Sequence, residues 1–201
     1  EVLAIERVNG MILNKKIRIT YLITLHIFVL IAIFESNVID EVQRKLDQHP
    51  REKSAYFDHM TGYHQRMDAS LPEGVTLFIG DSITQGLATS AVSDSSVNYG
   101  IGKDSTLGVL LRLPLYQSIH RAKAIVLAIG VNDLRHRPNI GIIQNYQKIL
   151  DYIPENTRIF VSAILPIDGR ARESGIWKNK RIEVLNKSIK QLTKKYKNVV
   201  F

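Results

Sequence analysis

The sequence contains no cysteine, no internal repeat and no low-complexity tract. The absence of cysteine excludes disulfide bonds and thiolate chemistry, although it leaves the cellular compartment open. Histidine is also poorly placed for metal binding, because His49, His59 and His64 match no spacing of helical metal ligands. We therefore expect neither a metal ion nor a cofactor.

Acidic residues are fewer than basic ones. The chain contains 19 Asp and Glu and 27 Lys and Arg, which gives a net charge of +8. From residue 168 onward, ten basic residues face three acidic ones, so this segment alone carries +7. A basic tail can indicate nucleic-acid binding. Here, however, the lysines are not regularly interleaved with aromatic residues for stacking on bases. Five apolar residues instead repeat at helical spacing, which predicts a solvated amphipathic helix and no nucleic-acid partner: Ile182, Leu185, Ile189, Leu192 and Tyr196.

One long apolar run lies near the N-terminus, from Ile19 to Phe34, between a basic and an acidic flank. We interpret residues 17–35 as a membrane anchor or signal segment, with residues 17–34 in contact with the bilayer. An uncleaved anchor fits better, because neither Ala32 nor Ser36 forms a good cleavage site. The positive-inside rule then places the rest of the chain outside the cytoplasm, whether periplasmic or extracellular, and a cleaved chain would be secreted.

The remaining chain divides by composition. Residues 1–16 are interpreted as a cytoplasmic or untranslated lead, because Met11 could be the natural start. Residues 36–72 are polar and mixed in charge, which suggests a stalk followed by a helix that leads into a domain. From residue 73 to residue 201, short apolar segments alternate with helical patterns. This alternation predicts a parallel sheet covered on both faces, with the following strands: Val75–Ile79, Val97–Tyr99, Ala124–Ala128, Arg158–Ser162 and Asn198–Phe201.

Helices are predicted between these strands, near Ile83–Ala91, Ser105–Leu113, Ile140–Tyr152 and Lys178–Tyr196. Three polar segments follow the first three strands, where open α/β folds bind their ligands. They read Gly80-Asp81-Ser82, Asn98 to Thr106, and Ala128 to Asp133. The second segment fails both the P-loop spacing and the dinucleotide glycine pattern, so it does not predict nucleotide binding.

Acyl transfer needs a nucleophile and donors for the developing oxyanion, and the three segments can supply both. Ser82 would provide the hydroxyl and its own N–H, Gly100 a second N–H, and Asn132 a side-chain amide. Each residue also has an ordinary interpretation. Asp81 and Ser82 are good helix caps, Gly100 fits a plain βα turn, and Asn132 is common in turns.

The blocks GDSITQG, NYGIGKDST and GVND resemble the first three signature blocks of the GDSL-type esterases and lipases, the SGNH hydrolase family. The resemblance runs from about Val75 to the end of the chain. It implies a flavodoxin-like three-layer α/β/α sandwich, here preceded by the N-terminal hydrophobic anchor helix. It also implies that Ser82 is the nucleophile, that Gly100 and Asn132 complete the oxyanion hole, and that Asp81 and Asp133 orient the loops.

The family takes its general base from an Asp-x-x-His block after the fifth strand, and residues 1–201 stop at that strand. We therefore expect this chain to be a C-terminally truncated and nearly inactive fragment. Asp133 and His136 have the right spacing, but they lie in the wrong block and are interpreted as a decoy or a rare substitute. Arg135 and His136 are instead candidates for a substrate entrance.

The resemblance implies a serine esterase that hydrolyses an acyl ester of a lipid or an acetylated glycan through an acyl-serine intermediate. An O-acetyltransferase acting on envelope glycans would use the same serine. A third possibility is a catalytically inactive, membrane-tethered binding module. The sequence alone does not choose among the substrates of the family.

Overall fold

The computed structural model describes residues 15–29, 31, 54–168 and 175–201. Two compact units are distinguished, Glu1–Pro50 and Arg51–Phe201. In the first unit, residues 15–29 are helical and their side chains are exposed. Among the residues described, we find no helix whose length and apolar character would let it span a bilayer. Residues 30 and 32–35 of the predicted anchor lie outside the described part, so the anchor stays a prediction.

The second unit is built on a five-stranded sheet in which every pairing is parallel. The strands follow the order β2-β1-β3-β4-β5, the flavodoxin-like arrangement. The predicted parallel α/β fold is therefore confirmed, and each predicted strand end falls within one residue of the observed one. The strands are β1 Thr76–Gly80, β2 Ser96–Gly100, β3 Ala124–Ala128, β4 Arg158–Val161 and β5 Val199–Val200.

Five α-helices accompany these strands in the second unit, as far as the structure describes it. They are α1 Ala55–Asp68, α2 Ser82–Gln85, α3 Thr106–Arg112, α4 Asn139–Tyr152 and α5 Gly175–Thr193. Short 3-10 helices lie at Thr89–Ala91, Leu113–Leu115, Gln117–His120 and Asn132–Arg135. The single helix predicted over Ile83–Ala91 is therefore wrong. The α-helix ends at Gln85, with Gly86 as its C-cap, and a separate 3-10 helix follows.

The core confirms the apolar periodicity of the chain. Every residue of β1 is buried, so this interior strand is covered on both faces. The apolar stripe predicted on α5 faces inward as well, because Ile182, Leu185, Ile189 and Leu192 are all buried. Removing such side chains from water supplies the main stabilising free energy of a domain of this kind.

Helix α1 belongs to the same compact unit as the sheet. Its Asp68 is buried and accepts hydrogen bonds from the Tyr99 hydroxyl at 2.7 Å and from the Ser118 N–H at 3.1 Å. His64 of the same helix is buried too, and its ring lies 5.0 Å from that of Tyr99. Because buried polar groups must find partners, these contacts fix the helix to the domain.

Candidate active site

Ser82 is the first residue of α2 and lies just beyond the carboxyl end of β1, an interior strand of the sheet. Asp81 caps the helix, since its Oδ1 accepts the Ile83 N–H at 2.9 Å. Ser82 itself is exposed, and in the described part of the chain its hydroxyl has no hydrogen-bond partner. Asp81 is buried, and this burial raises the pKa of its carboxyl group. The result is an accessible serine hydroxyl at a helix N-terminus, where free N–H groups favour negative charge.

Helix α2 is held against the sheet by contacts that need small residues and one asparagine. Asn98 of β2 donates from Nδ2 to the carbonyl oxygens of Thr84 at 2.7 Å and Leu87 at 2.9 Å. Its Oδ1 accepts the Gly100 N–H at 2.8 Å. A Cβ atom on Gly100 would lie 2.2 Å from the Gln85 nitrogen, so only glycine allows this approach.

In this structure the Gly100 N–H is not free to act as the predicted oxyanion donor. The Gly100 N–H already donates to Asn98. The space that a side chain at Gly100 would need is filled by the backbone of α2. The glycine is required for close packing of the helix that carries Ser82. Sequence reasoning assigned Asn98 no role, because its partners lie 11 to 14 residues upstream on another element.

A main-chain N–H without an acceptor in the described residues is found three residues further on, at Lys103. The segment Ile101–Asp104 forms a turn closed by the Asp104 N–H donating to the Ile101 carbonyl at 3.1 Å. Lys103 has a φ of 66°, in the left-handed region that non-glycine residues seldom occupy. Its side chain is exposed, and its N–H donates to no acceptor in the described residues. Such backbone conformations concentrate at functional sites, which is a signal that the sequence did not contain.

Asn132 lies beside this turn. It begins the 3-10 helix that follows β3, and its Nδ2 donates to the Asp104 carbonyl at 2.9 Å. The sheet register explains why the segments meet, since Gly80 is paired with Gly100 on one side and with Ala128 on the other. Ser82, Lys103 and Asn132 therefore lie at one edge of the sheet.

Asp133 is buried, and both of its carboxylate oxygens are engaged. Oδ1 accepts from the Thr106 hydroxyl at 2.7 Å, and Oδ2 accepts from the Thr106 N–H at 2.9 Å. Arg137 also donates to Oδ1 and forms an ion pair with it. These contacts join the segment after β3 to the first turn of α3. The carboxylate is thus oriented toward Thr106 and Arg137, which does not fit the role of holding His136 as a general base.

An open groove of about 330 Å³ runs along the loop that follows Asn132, and it is lined by Leu134–Asn139 and Arg181. The guanidinium of Arg181 holds this loop by donating to the Leu134 carbonyl at 2.7 Å and to Asn139 Oδ1 at 2.6 Å. Arg135 and His136, the predicted entrance residues, are exposed along the groove. Over the described residues, no cluster of three or more potential metal ligands is present.

Comparison with known proteins adds an independent observation. Residues 78–201 match the GDSL-like Lipase/Acylhydrolase family. No sequence among the curated proteins matches the chain significantly.

Several solved structures are similar to the chain. A Streptococcus pneumoniae protein provisionally described as a platelet activating factor is 26% identical, with 73% of each chain covered and a TM-score of 0.64. A GDSL-like lipase from Bacteroides thetaiotaomicron is 17% identical, with 67% of this chain and 73% of that chain covered and a TM-score of 0.56. A lipase/acylhydrolase from Enterococcus faecalis is 20% identical, with 64% and 75% covered and a TM-score of 0.55. The last two similarities establish the shared fold.

Proposed function

Because the chain belongs to the GDSL-like lipase/acylhydrolase family, we propose that it is a serine esterase with Ser82 as its nucleophile. The observation that carries this proposal is the exposed, unpartnered hydroxyl of Ser82 at the N-terminus of α2. The hydroxyl attacks the ester carbonyl, the alcohol leaves, and water then hydrolyses the acyl-serine intermediate.

The oxyanion formed during attack needs several donors. We assign them to the N–H groups of Ser82 and Lys103 and to the side-chain amide of Asn132. An amide NH₂ carries two hydrogens, and one of those on Asn132 binds the Asp104 carbonyl. The other hydrogen remains for the substrate oxygen. This arrangement replaces the predicted contribution of Gly100 with that of Lys103.

Attack also requires a general base that accepts the Ser82 proton. The Asp133–His136 pair does not suit this role, because the Asp133 carboxylate is directed toward Thr106 and Arg137. We therefore leave that pair out of the proton transfer and propose that the Ser82 proton passes to the histidine of an Asp-x-x-His block after β5, where the family carries its general base, and from there to the leaving alcohol. His136 is kept, with Arg135, as a candidate contact for the incoming substrate.

The proposed substrates are acyl esters of lipids or of acetylated glycans. Two apolar side chains close to the nucleophile, Ile83 and Leu87, are 55% and 43% exposed and offer a surface for an acyl chain. The predicted anchor or signal at residues 17–34 would place this activity outside the cytoplasm, next to a membrane. Adding a sugar acceptor to the assay would distinguish acetyl transfer from hydrolysis.

The test uses the full-length protein, 4-nitrophenyl esters of increasing chain length and a fluorophosphonate probe. We expect release of nitrophenol and a single phosphonylated residue, Ser82, in the mass spectrum. Ser82→Ala should abolish both signals, whereas Ser90→Ala, which alters an exposed serine in the neighbouring 3-10 helix, should retain them. Turnover that survives in Ser82→Ala would remove Ser82 from the mechanism.

A further inference from the structure

Arg112, at the end of α3, is completely buried. Its Nε donates to Asp104 Oδ2 at 2.9 Å, in an ion pair whose two side chains are inaccessible to solvent. Its Nη2 donates to the Gly80 carbonyl at 3.3 Å. Its Nη1 has no hydrogen-bond partner. A guanidinium therefore lies inside the domain and directly links the end of β1 to the segment that follows β2.

Stability alone does not account for this pair. Taking two charges out of water costs more than their attraction commonly returns, and apolar replacements of similar size are often neutral or stabilising. Burial raises the pKa of Asp104 to about 6, although the adjacent Arg112 charge acts in the opposite direction. The unpartnered Nη1 adds a further desolvation cost. We therefore expect the pair to contribute something other than free energy of folding.

Its contacts indicate what that contribution is. Gly80 lies two residues before Ser82, so the bond to its carbonyl fixes the strand end that carries the nucleophile. Asp104 follows Lys103, and its Oδ1 also accepts the Ser105 N–H at 2.8 Å, which fixes the turn. The main-chain carbonyl of Asp104 holds the Asn132 amide. Lys103 is thus next to the ion pair in the chain, Asn132 is one hydrogen bond from it, and Ser82 lies two residues after a carbonyl that Arg112 binds.

We propose that Arg112 and Asp104 are positioning residues that set the distance between the Ser82 hydroxyl and its two oxyanion donors, Lys103 and Asn132. Neither residue touches the substrate. The proposal rests on the proposed esterase function. A misplacement of about 1 Å at a reacting group can cost about 10²-fold in rate, so a rigid link between the three segments has a direct catalytic value.

The test replaces both charges at once, in the double variant Arg112→Met with Asp104→Asn, which avoids leaving one charge buried alone. We expect the variant to keep its circular dichroism spectrum and its Tm within a few degrees, while kcat falls roughly 10²-fold and KM changes little. Arg112→Lys, which keeps the charge but loses the planar fork, should fall between the double variant and the wild type. If the double variant does not fold, kcat and KM of Arg112→Lys are compared with those of the wild type instead.

The matched control is Arg121→Met. Arg121 also donates to a main-chain carbonyl, that of Leu71 at 3.2 Å, but it lies before β3, at the opposite edge of the sheet. It should retain wild-type kcat. An NMR readout independent of turnover follows the side-chain amide of Asn132, which should shift or broaden in the double variant. The amide of Asn186, which is bonded to Ile164, should not move.

The outcomes separate the two proposals. A wild-type protein whose Ser82 is neither labelled nor needed for hydrolysis refutes the esterase function itself. A labelled and active wild type, together with a folded double variant of unchanged kcat and an unmoved Asn132 signal, refutes only the positioning role. A loss of kcat that merely follows the unfolded fraction would also overturn the positioning role.

Discussion

Replacing Asn98 with aspartate would test how the helix of the nucleophile is held. The carboxylate keeps the acceptor for the Gly100 N–H, but it removes the donor that serves the carbonyls of Thr84 and Leu87. In the variant, a carboxylate oxygen takes the place of Asn98 Nδ2, which lies 2.7 Å from the Thr84 carbonyl oxygen and 2.9 Å from that of Leu87. Helix α2 has only four residues, which is too short to be stable without tertiary contacts.

The magnitude follows from the burial of these contacts. A buried carbonyl that loses its donor costs about 1–3 kcal/mol, and a solvated one costs much less. The Thr84 contact is partly buried and the Leu87 contact is exposed, so we expect a loss of about 2 kcal/mol in the free energy of unfolding. For a domain of this size, this loss corresponds to a Tm lower by roughly 4–8 °C. Calorimetry at neutral pH measures it directly.

The pH dependence provides an internal check. Protonation of the introduced carboxyl restores an O–H donor, so the deficit of Asn98→Asp relative to the wild type should shrink as the pH is lowered. The control is Asn198→Asp, because Asn198 also donates to a carbonyl, that of Thr157 at 2.8 Å, but lies just before β5. It should lose comparable stability while retaining the phosphonylation rate of Ser82. A stable Asn98→Asp variant with normal labelling would refute this account of α2.

Three further predictions concern single groups. Asn132→Ala should lower kcat roughly 10²–10³-fold with little change in KM; normal steady-state kinetics would leave Asn132 a turn residue only. Gly100→Ala should destabilise the domain by about 1–3 kcal/mol in urea titrations, because the added Cβ would clash with the Gln85 nitrogen at 2.2 Å; an unchanged midpoint would contradict the packing described. Burial, and secondarily the charge of Arg112, lowers the pKa of His64 to about 4. The unfolded chain therefore takes up a proton below about pH 6.5 while the folded one does not. Stability should fall by about 3 kcal/mol between pH 6.5 and 4, a slope that His64→Phe should remove.

The sequence was sufficient for the sheet because its information is local. Runs such as Val75–Ile79 are apolar and follow turn signals, and a strand that is buried on both faces needs no alternation. The stripe of α5 was readable for the same reason, because residues three and four apart share a helix face. Segments that follow parallel strands must meet at one edge, so the proximity of Ser82 and Asn132 could also be expected.

The hydrogen bonds between the segments that follow the strands could not be predicted from local sequence patterns. The spacing of Asp133 and His136 matches that of an Asp-x-x-His pair. The Asp133 carboxylate nevertheless binds Thr106, which lies 27 residues upstream. The glycine pattern suggested a free N–H at Gly100, but that glycine is needed for the close approach of α2. The N–H without an acceptor in the described residues is that of Lys103. Such assignments depend on three-dimensional neighbours, and a single sequence does not identify them.

Helix α1 has a consequence for what counts as the smallest independent unit of this protein. The part that matches the family begins at residue 78, whereas Asp68, which binds Tyr99 and Ser118, lies ten residues earlier. A chain cut at the family boundary would keep both donors in the interior and lose their common acceptor. The unit that folds therefore begins earlier in the chain than the part that matches the family, and we expect a transplant of this domain to need α1 as well.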